Sequence, residues 1–192
     1  MKAFVIFSML FLCSSLGLGQ HEGTKTLGEI EQWRLSTPHG DVRLKLSNVP
    51  SGSDTRTVLS LEPFGGSKPT TGEEEALLRQ VLHDMTEHGY DPGKLLMIST
   101  WLQNSEFQDG VEHAVSESVN WKSCLGRKYC YKAEIAANHF LSSVDAFKGF
   151  DAVLHEYRLR RKAVRVDDMG VGSKAGGVLC QGLVVISLER EN

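Results

Sequence analysis

The chain has 192 residues, of which 41% are apolar and 23% are charged, and its formal net charge is −3, as in an ordinary globular protein. The weak negative charge argues against nucleic acid as the main partner, because binding to phosphates is driven by clustered positive charge. The length suits one domain that folds without a dense set of disulfides or a structural metal.

The first nineteen residues have the three-part pattern of a secretory signal peptide. Lys2 supplies the positive charge, and Ala3–Leu12 supplies an apolar core of about ten residues, half of what a bilayer-spanning helix needs. The small residues Gly17 and Gly19 suit the pockets of a signal peptidase. We therefore expect cleavage after Gly19, so that residues 1–19 are removed.

The mature chain, residues 20–192, is then expected to be a single domain that is secreted or periplasmic. No second apolar segment of spanning length follows, which predicts no transmembrane anchor in the mature chain. A lipoprotein is disfavoured, because the bulky Leu12 precedes Cys13 where a small residue is needed.

Three strands are expected at the start of the mature chain. Val42, Leu44 and Leu46 alternate with charged residues, which is the pattern of a strand with one buried face. Proline, glycine and serine clusters separate this strand from its neighbours. The expected antiparallel meander comprises Ile30–Leu35, Val42–Leu46 and Thr57–Leu61, with Val49–Thr55 as a loop.

The middle of the chain is expected to be mostly helical. Thr71 and Glu74 have the spacing of a capping box, and an apolar stripe follows as far as His88. A buried strand comes next, and the order strand, helix, strand predicts at least one parallel pairing. The expected elements are a helix from 71 to 88, a strand over Leu95–Leu102, and helices over Ser105–Trp121, Lys132–Leu141 and Val144–Tyr157.

The end of the chain predicts a β-hairpin. Its strands are Ala163–Met169 and Val178–Leu188, joined by the glycine-rich turn Gly170–Gly177. The complete pattern predicts an α+β domain with a mixed sheet, made of an N-terminal antiparallel meander, central helices and a C-terminal β-hairpin.

The mature chain has three cysteines. Cys124 and Cys130 flank a short polar loop, and in an oxidising compartment we expect them to form a disulfide with Cα atoms about 5–6 Å apart. So small a ring contributes about 2 kcal/mol or less. Cys180 shares a strand face with Val178 and Val184, which predicts a buried, reduced thiol.

A basic segment follows the last predicted helix and is the candidate binding site. Cations near a helix C-terminus are stabilising, so a structural role is the favoured explanation of the segment. The binding hypothesis assigns it to an anionic ligand or a protein partner outside the cytosol. The candidate residues are Arg158, Arg160, Arg161 and Arg165.

No catalytic residue, metal site or cofactor is predicted. His83 and His88 are five residues apart, which places them on different faces of a helix. His155 and Glu156 begin a metalloprotease-like motif, but Leu159 stands where the second histidine is required.

Two hypotheses for function therefore remain. The leading one is a non-enzymatic extracytoplasmic binding or interaction domain. The alternative is a small secreted hydrolase that uses a cysteine or a carboxylate with a histidine. A geometry that places Cys124 or an acid within hydrogen-bond reach of His113, His139 or His155 in a cleft would favour the hydrolase.

Overall fold

The described chain has three strands, a helix, a fourth strand, three helices and two final strands, and these strands all belong to one sheet. The computed structural model describes residues 30–38, 40–51, 53–64, 71–101, 105–143 and 147–192. The expected signal peptide lies outside these residues, so its cleavage stays a prediction. Within the described ranges the strands are β1 (Ile30–Thr37), β2 (Gly40–Ser51), β3 (Asp54–Phe64), β4 (Leu95–Trp101), β5 (Leu159–Lys174) and β6 (Gly177–Arg190), and the α-helices are α1 (Thr71–Glu87), α2 (Ser105–Ser118), α3 (Tyr131–Ser143) and α4 (Lys148–Glu156).

The sheet has the strand order β1-β2-β3-β4-β6-β5 across the described residues. β3 and β4 are parallel, and the other neighbouring pairs are antiparallel. The α+β class, the mixed sheet, the N-terminal meander and the C-terminal hairpin are therefore confirmed. The parallel pair is the one expected from the order strand, helix, strand, since α1 connects β3 to β4.

The helices cover one face of the sheet, and the core lies between the two layers. In β2, Val42, Leu44 and Leu46 are buried while the residues between them are only partly buried, as the sequence alternation predicts. α1 contributes a stripe of apolar side chains to the same cluster, including Leu82 and Met85, both fully buried.

The two hairpins are longer than predicted. β2 continues to Ser51 and β3 begins at Asp54. Most of the segment Val49–Thr55, which was expected to be a loop, is therefore paired strand. Pro50 lies opposite Thr55 near the turn of this hairpin.

The C-terminal hairpin differs in the same way. β5 begins at Leu159 and continues to Lys174, so the predicted turn Gly170–Gly177 was wrong for most of its length. A bulge between Asp167 and Gly170 absorbs the irregular residues and lets the pairing resume.

Helix boundaries also shift by a few residues. The predicted helix to Trp121 ends at Ser118 and is followed by a single 3₁₀ turn, Trp121–Cys124. α4 is shorter than the predicted Val144–Tyr157, of which residues 144–146 lie outside the described part. Helix ends depend on capping contacts that periodicity alone does not specify.

A side chain of α3 closes the outer edge of β5. The Asn138 side chain donates 2.9 Å to the carbonyl of Val166 and accepts 2.7 Å from the backbone N–H of the same residue. Both outward-facing backbone groups of Val166 are thereby satisfied, as they would be by a further strand.

Candidate functional site

The two cysteines that were predicted to pair lie at disulfide distance. The Sγ atoms of Cys124 and Cys130 are 1.96 Å apart and the Cα atoms are 5.6 Å apart, within the expected range. The N–H of Cys130 donates 2.7 Å to the carbonyl of Met169, beside the bulge in β5. Residues 124–130, here named the cysteine loop, are therefore fixed at one end to the sheet.

A groove of about 540 Å³ lies between α2 and α3. The ring of Phe140 lies so close to Gly110 that a Cβ on that glycine would be 2.2 Å from Cζ of Phe140. Glycine thus lets an aromatic ring approach the α2 backbone and contribute an apolar wall. The exposed rim of the groove carries His113, Glu117, Lys132, Ile135 and His139.

Exposed large apolar side chains are concentrated in the cysteine loop and the first turns of α3, close in sequence to the residues that line this groove. Within the described part of the chain, the large hydrophobic residues with substantial exposure are Leu125 (39%), Tyr129 (42%), Tyr131 (63%) and Ile135 (52%). All four lie in the cysteine loop or the first turns of α3, and Ile135 also lines the groove. Clustered exposed apolar groups mark binding surfaces more reliably than scattered ones. We name these four residues together with the groove the loop–groove surface.

The same stretch is positively charged. No acidic residue lies between Glu117 and Glu134, and the four loop cations there are Lys122, Arg127, Lys128 and Lys132, all exposed. None of the four forms an ion pair with another residue that the structure describes. The Lys122 ammonium lies 6.0 Å from the centroid of the Trp121 ring.

Tyr129 lies near the carboxylate of Glu134. Partial desolvation, and after it the interaction with this carboxylate, raises the pKa of Tyr129.

The basic segment identified from sequence is divided between different surroundings. Arg160 pairs with Glu189 at 2.8 Å, and Arg165 pairs with Asp167 at 3.0 Å. Arg161 makes two 2.8 Å bonds to Asp151 in α4.

Arg158 has a backbone role. It adopts φ 55° just after α4, and its N–H donates 2.9 Å to the carbonyl of His155. This left-handed conformation ends many helices, usually with a glycine. The Arg161 side chain points toward the helix layer. Arg160 instead pairs with Glu189 on the neighbouring strand, next to the buried Leu188. The arginines therefore do not converge on one patch. Whether the segment binds an anion stays a prediction.

The geometric criterion for a hydrolase gives a divided answer. Cys124 is held at bonding distance by Cys130 and offers no thiolate. His113 Nε2 lies 3.4 Å from Glu117 on the rim of the groove, close enough for an ion pair but without a hydrogen bond. His155 Nδ1 lies 2.6 Å from Glu191 on an exposed surface.

A second cluster was not foreseen from the sequence. The Trp33 ring stacks on His88 with centroids 4.2 Å apart and lies 6.1 Å from Tyr90. Glu31 accepts a 2.5 Å bond from the Tyr90 hydroxyl and lies 3.1 Å from His88 Nδ1. These contacts join β1 to the end of α1.

The comparisons with known proteins give no assignment: no family model, curated protein or solved structure matches this chain. Among the described residues no helix is both long enough and apolar enough to cross a membrane. The same residues contain no group of three histidine, cysteine or acidic side chains that could hold a metal ion.

Proposed function

We propose that this chain is a non-enzymatic binding or interaction domain that works outside the cytosol and contacts its partner through the loop–groove surface. The observation that carries the proposal is the concentration of exposed apolar side chains at Leu125, Tyr129, Tyr131 and Ile135, of which Ile135 also lines a groove. Interfaces are enriched in aromatic residues around pockets that accept a side chain of the partner.

The fixed geometry of the surface supports binding. The Cys124–Cys130 link and the bond from Cys130 to Met169 hold the cysteine loop before any partner arrives. A preordered loop loses less conformational entropy on association, and so more of the contact energy appears as affinity.

An extracytoplasmic location is supported by two observations. The cysteine pair at disulfide distance suits an oxidising compartment, and the first nineteen residues have the pattern of a signal peptide. N-terminal sequencing of secreted material should begin at Gln20 or its cyclised form. An intact chain starting at Met1 in the cytosol would contradict this location.

Site-specific crosslinking tests the binding surface. A photoreactive amino acid is placed at Tyr131 or Ile135 in the protein made by its native host, and at Ala152, an exposed position of α4, as the matched control. We expect a stoichiometric adduct of one mass from Tyr131 and Ile135 and none from Ala152. Adducts from Ala152 alone, or none from the loop–groove positions, would contradict the proposal.

A small secreted hydrolase is the second candidate, and the His113–Glu117 pair in the groove favours it. Pairs at this spacing are also common on exposed helices without catalysis. A panel of ester and peptide substrates separates the two candidates. Hydrolysis by the parent protein that His113→Asn abolishes would establish the enzyme and displace the binding domain.

A further inference from the structure

We infer that the partner presents an acidic surface from which an aliphatic or aromatic side chain projects into the groove between α2 and α3. This inference rests on the proposed function and adds the chemistry of the partner. The loop cations supply the electrostatic part of the contact, and Ile135 with the groove supplies the apolar part.

The state of the cations is the first step of the argument. Lys122, Arg127, Lys128 and Lys132 are exposed and form no ion pair with the described residues, whereas Arg160, Arg161 and Arg165 each have a carboxylate partner. A cluster of like charges without counter-ions raises the local positive potential, and it stands out in a chain of net charge −3. An acidic partner removes this repulsion.

The position of the cations is the second step. Lys132 and Ile135 are one helical turn apart on α3 and both line the groove. The other three cations lie in the cysteine loop or in the 3₁₀ turn before it, among the exposed aromatic residues. A partner that fills the groove is therefore brought next to the positive charge of Lys132, the cation that lines it.

The shape of the surface favours a protein over an anionic membrane. A groove of about 540 Å³ accepts a projecting side chain, while a bilayer offers a smooth surface. Glu117 on the rim would be repelled by anionic headgroups, but a protein partner can place a hydrogen-bond donor opposite it.

Selection from a peptide library tests the inference. Random peptides displayed on phage are selected on the immobilised protein, and the affinity of each enriched peptide is measured at several salt concentrations. We expect enriched peptides to be net acidic and to contain a large apolar residue. Enriched peptides no more acidic than the unselected library would overturn the inference.

Three variants separate the possible failures. The loop-cation variant replaces Lys122, Arg127, Lys128 and Lys132 with Gln, the control variant replaces the exposed Arg79, Lys148, Lys162 and Arg190 with Gln, and the apolar variant is Tyr131→Ser with Ile135→Ser. The loop-cation variant should bind an enriched peptide about tenfold more weakly, with a flatter salt dependence, because four exposed charge contacts are lost. The control variant should bind like the parent.

If the apolar variant loses binding and the loop-cation variant does not, the binding surface stands and the inference of an acidic partner is wrong. If neither the apolar variant nor the loop-cation variant loses binding, the loop–groove surface and the proposed function are both wrong. Vesicles of phosphatidylcholine with 30% phosphatidylserine provide the membrane arm at about the anionic content of a charged leaflet. Tight binding to these vesicles without peptide enrichment would overturn the inference in favour of a membrane.

Discussion

The backbone N–H of Cys180 in β6 donates a 3.2 Å hydrogen bond to the buried carboxylate of Glu112 in α2. The same carboxylate accepts 3.0 Å from Gln108 and pairs with the ammonium of Lys174, near the tip of the last hairpin. Burial, and after it the charge of Glu112, raises the pKa of Cys180 to about 12. Cys180 is therefore a neutral thiol at physiological pH.

The three cysteines of the described residues should differ in reactivity. Cys180 is fully buried and protonated, so an alkylating reagent should modify it only after denaturation. Trypsin cleaves after Arg127 and Lys128, and the peptides carrying Cys124 and Cys130 should stay linked until they are reduced. Mass spectrometry without reduction measures both outcomes. A crosslink from Cys180 to either of the others would contradict the pairing.

Removal of the Glu112 carboxylate should destabilise the fold. Glu112→Ala leaves the N–H of Cys180 and the amide of Gln108 without this acceptor in a buried place, at a cost of about 2–4 kcal/mol in the free energy of unfolding. Glu112→Gln retains an oxygen acceptor and should cost less. Urea denaturation measures the difference, with Glu117→Ala on the exposed side of the same helix as the control. Equal stability of both alanine variants would show that the buried contacts contribute nothing.

His155 should titrate above its ordinary range. Its bond to Glu191, and then the charge of that carboxylate, raises the pKa of His155 from 6.5. The pair therefore stabilises the fold fully below pH 6.5, and its contribution is lost as the pH rises through the raised pKa. NMR titration of the imidazole should give a lower pKa in Glu191→Gln than in the parent. An identical titration in both proteins would mean that the two side chains are not paired in solution.

Gly110 should be required for the shape of the groove. In Gly110→Ala the new Cβ would lie 2.2 Å from the Phe140 ring, which must then move outward. Overpacking costs about 1–3 kcal/mol and outweighs a gain in helix propensity of about 1 kcal/mol. We expect a lower urea midpoint and weaker peptide binding. Gly72→Ala, where a Cβ meets no atom within 4 Å, is the control and should not be destabilised.

Alternation predicted the sheet well where one face is buried. The strict pattern of β2 gave a correct strand centre, and Cys180 lies on the buried face assigned to it. The strand ends were predicted wrongly because glycine, proline and aspartate are typical of turns. The same residues also occur in β-bulges and near the ends of long hairpins, where the strands stay paired. The bulge at Asp167 is the example, since it preserves pairing through a stretch that has turn composition.

The candidate site was harder to predict because the densest run of arginines in the sequence, at positions 158–165, is the most obvious candidate for binding an anion. Those at positions 160, 161 and 165 are neutralised by carboxylates, and Arg161 reaches one on another element, which no local pattern reveals. The cysteine loop and its flanking residues do have a sequence pattern that indicates a binding surface. Cations and aromatic residues are interleaved from Lys122 to Lys132, and no acidic residue lies among them. The exposure of this loop next to a groove depends on how α3 packs against α2. The spacing of apolar residues along each helix does not predict which helices pack against each other.

The contact of Asn138 with Val166 also limits how copies of this chain can associate through backbone pairing. In the described sheet β5 and β1 are the outer strands, and α3 obstructs the middle of β5. A strand that added to β5 would have to displace the Asn138 side chain from Val166, so this contact disfavours strand addition in the middle of β5.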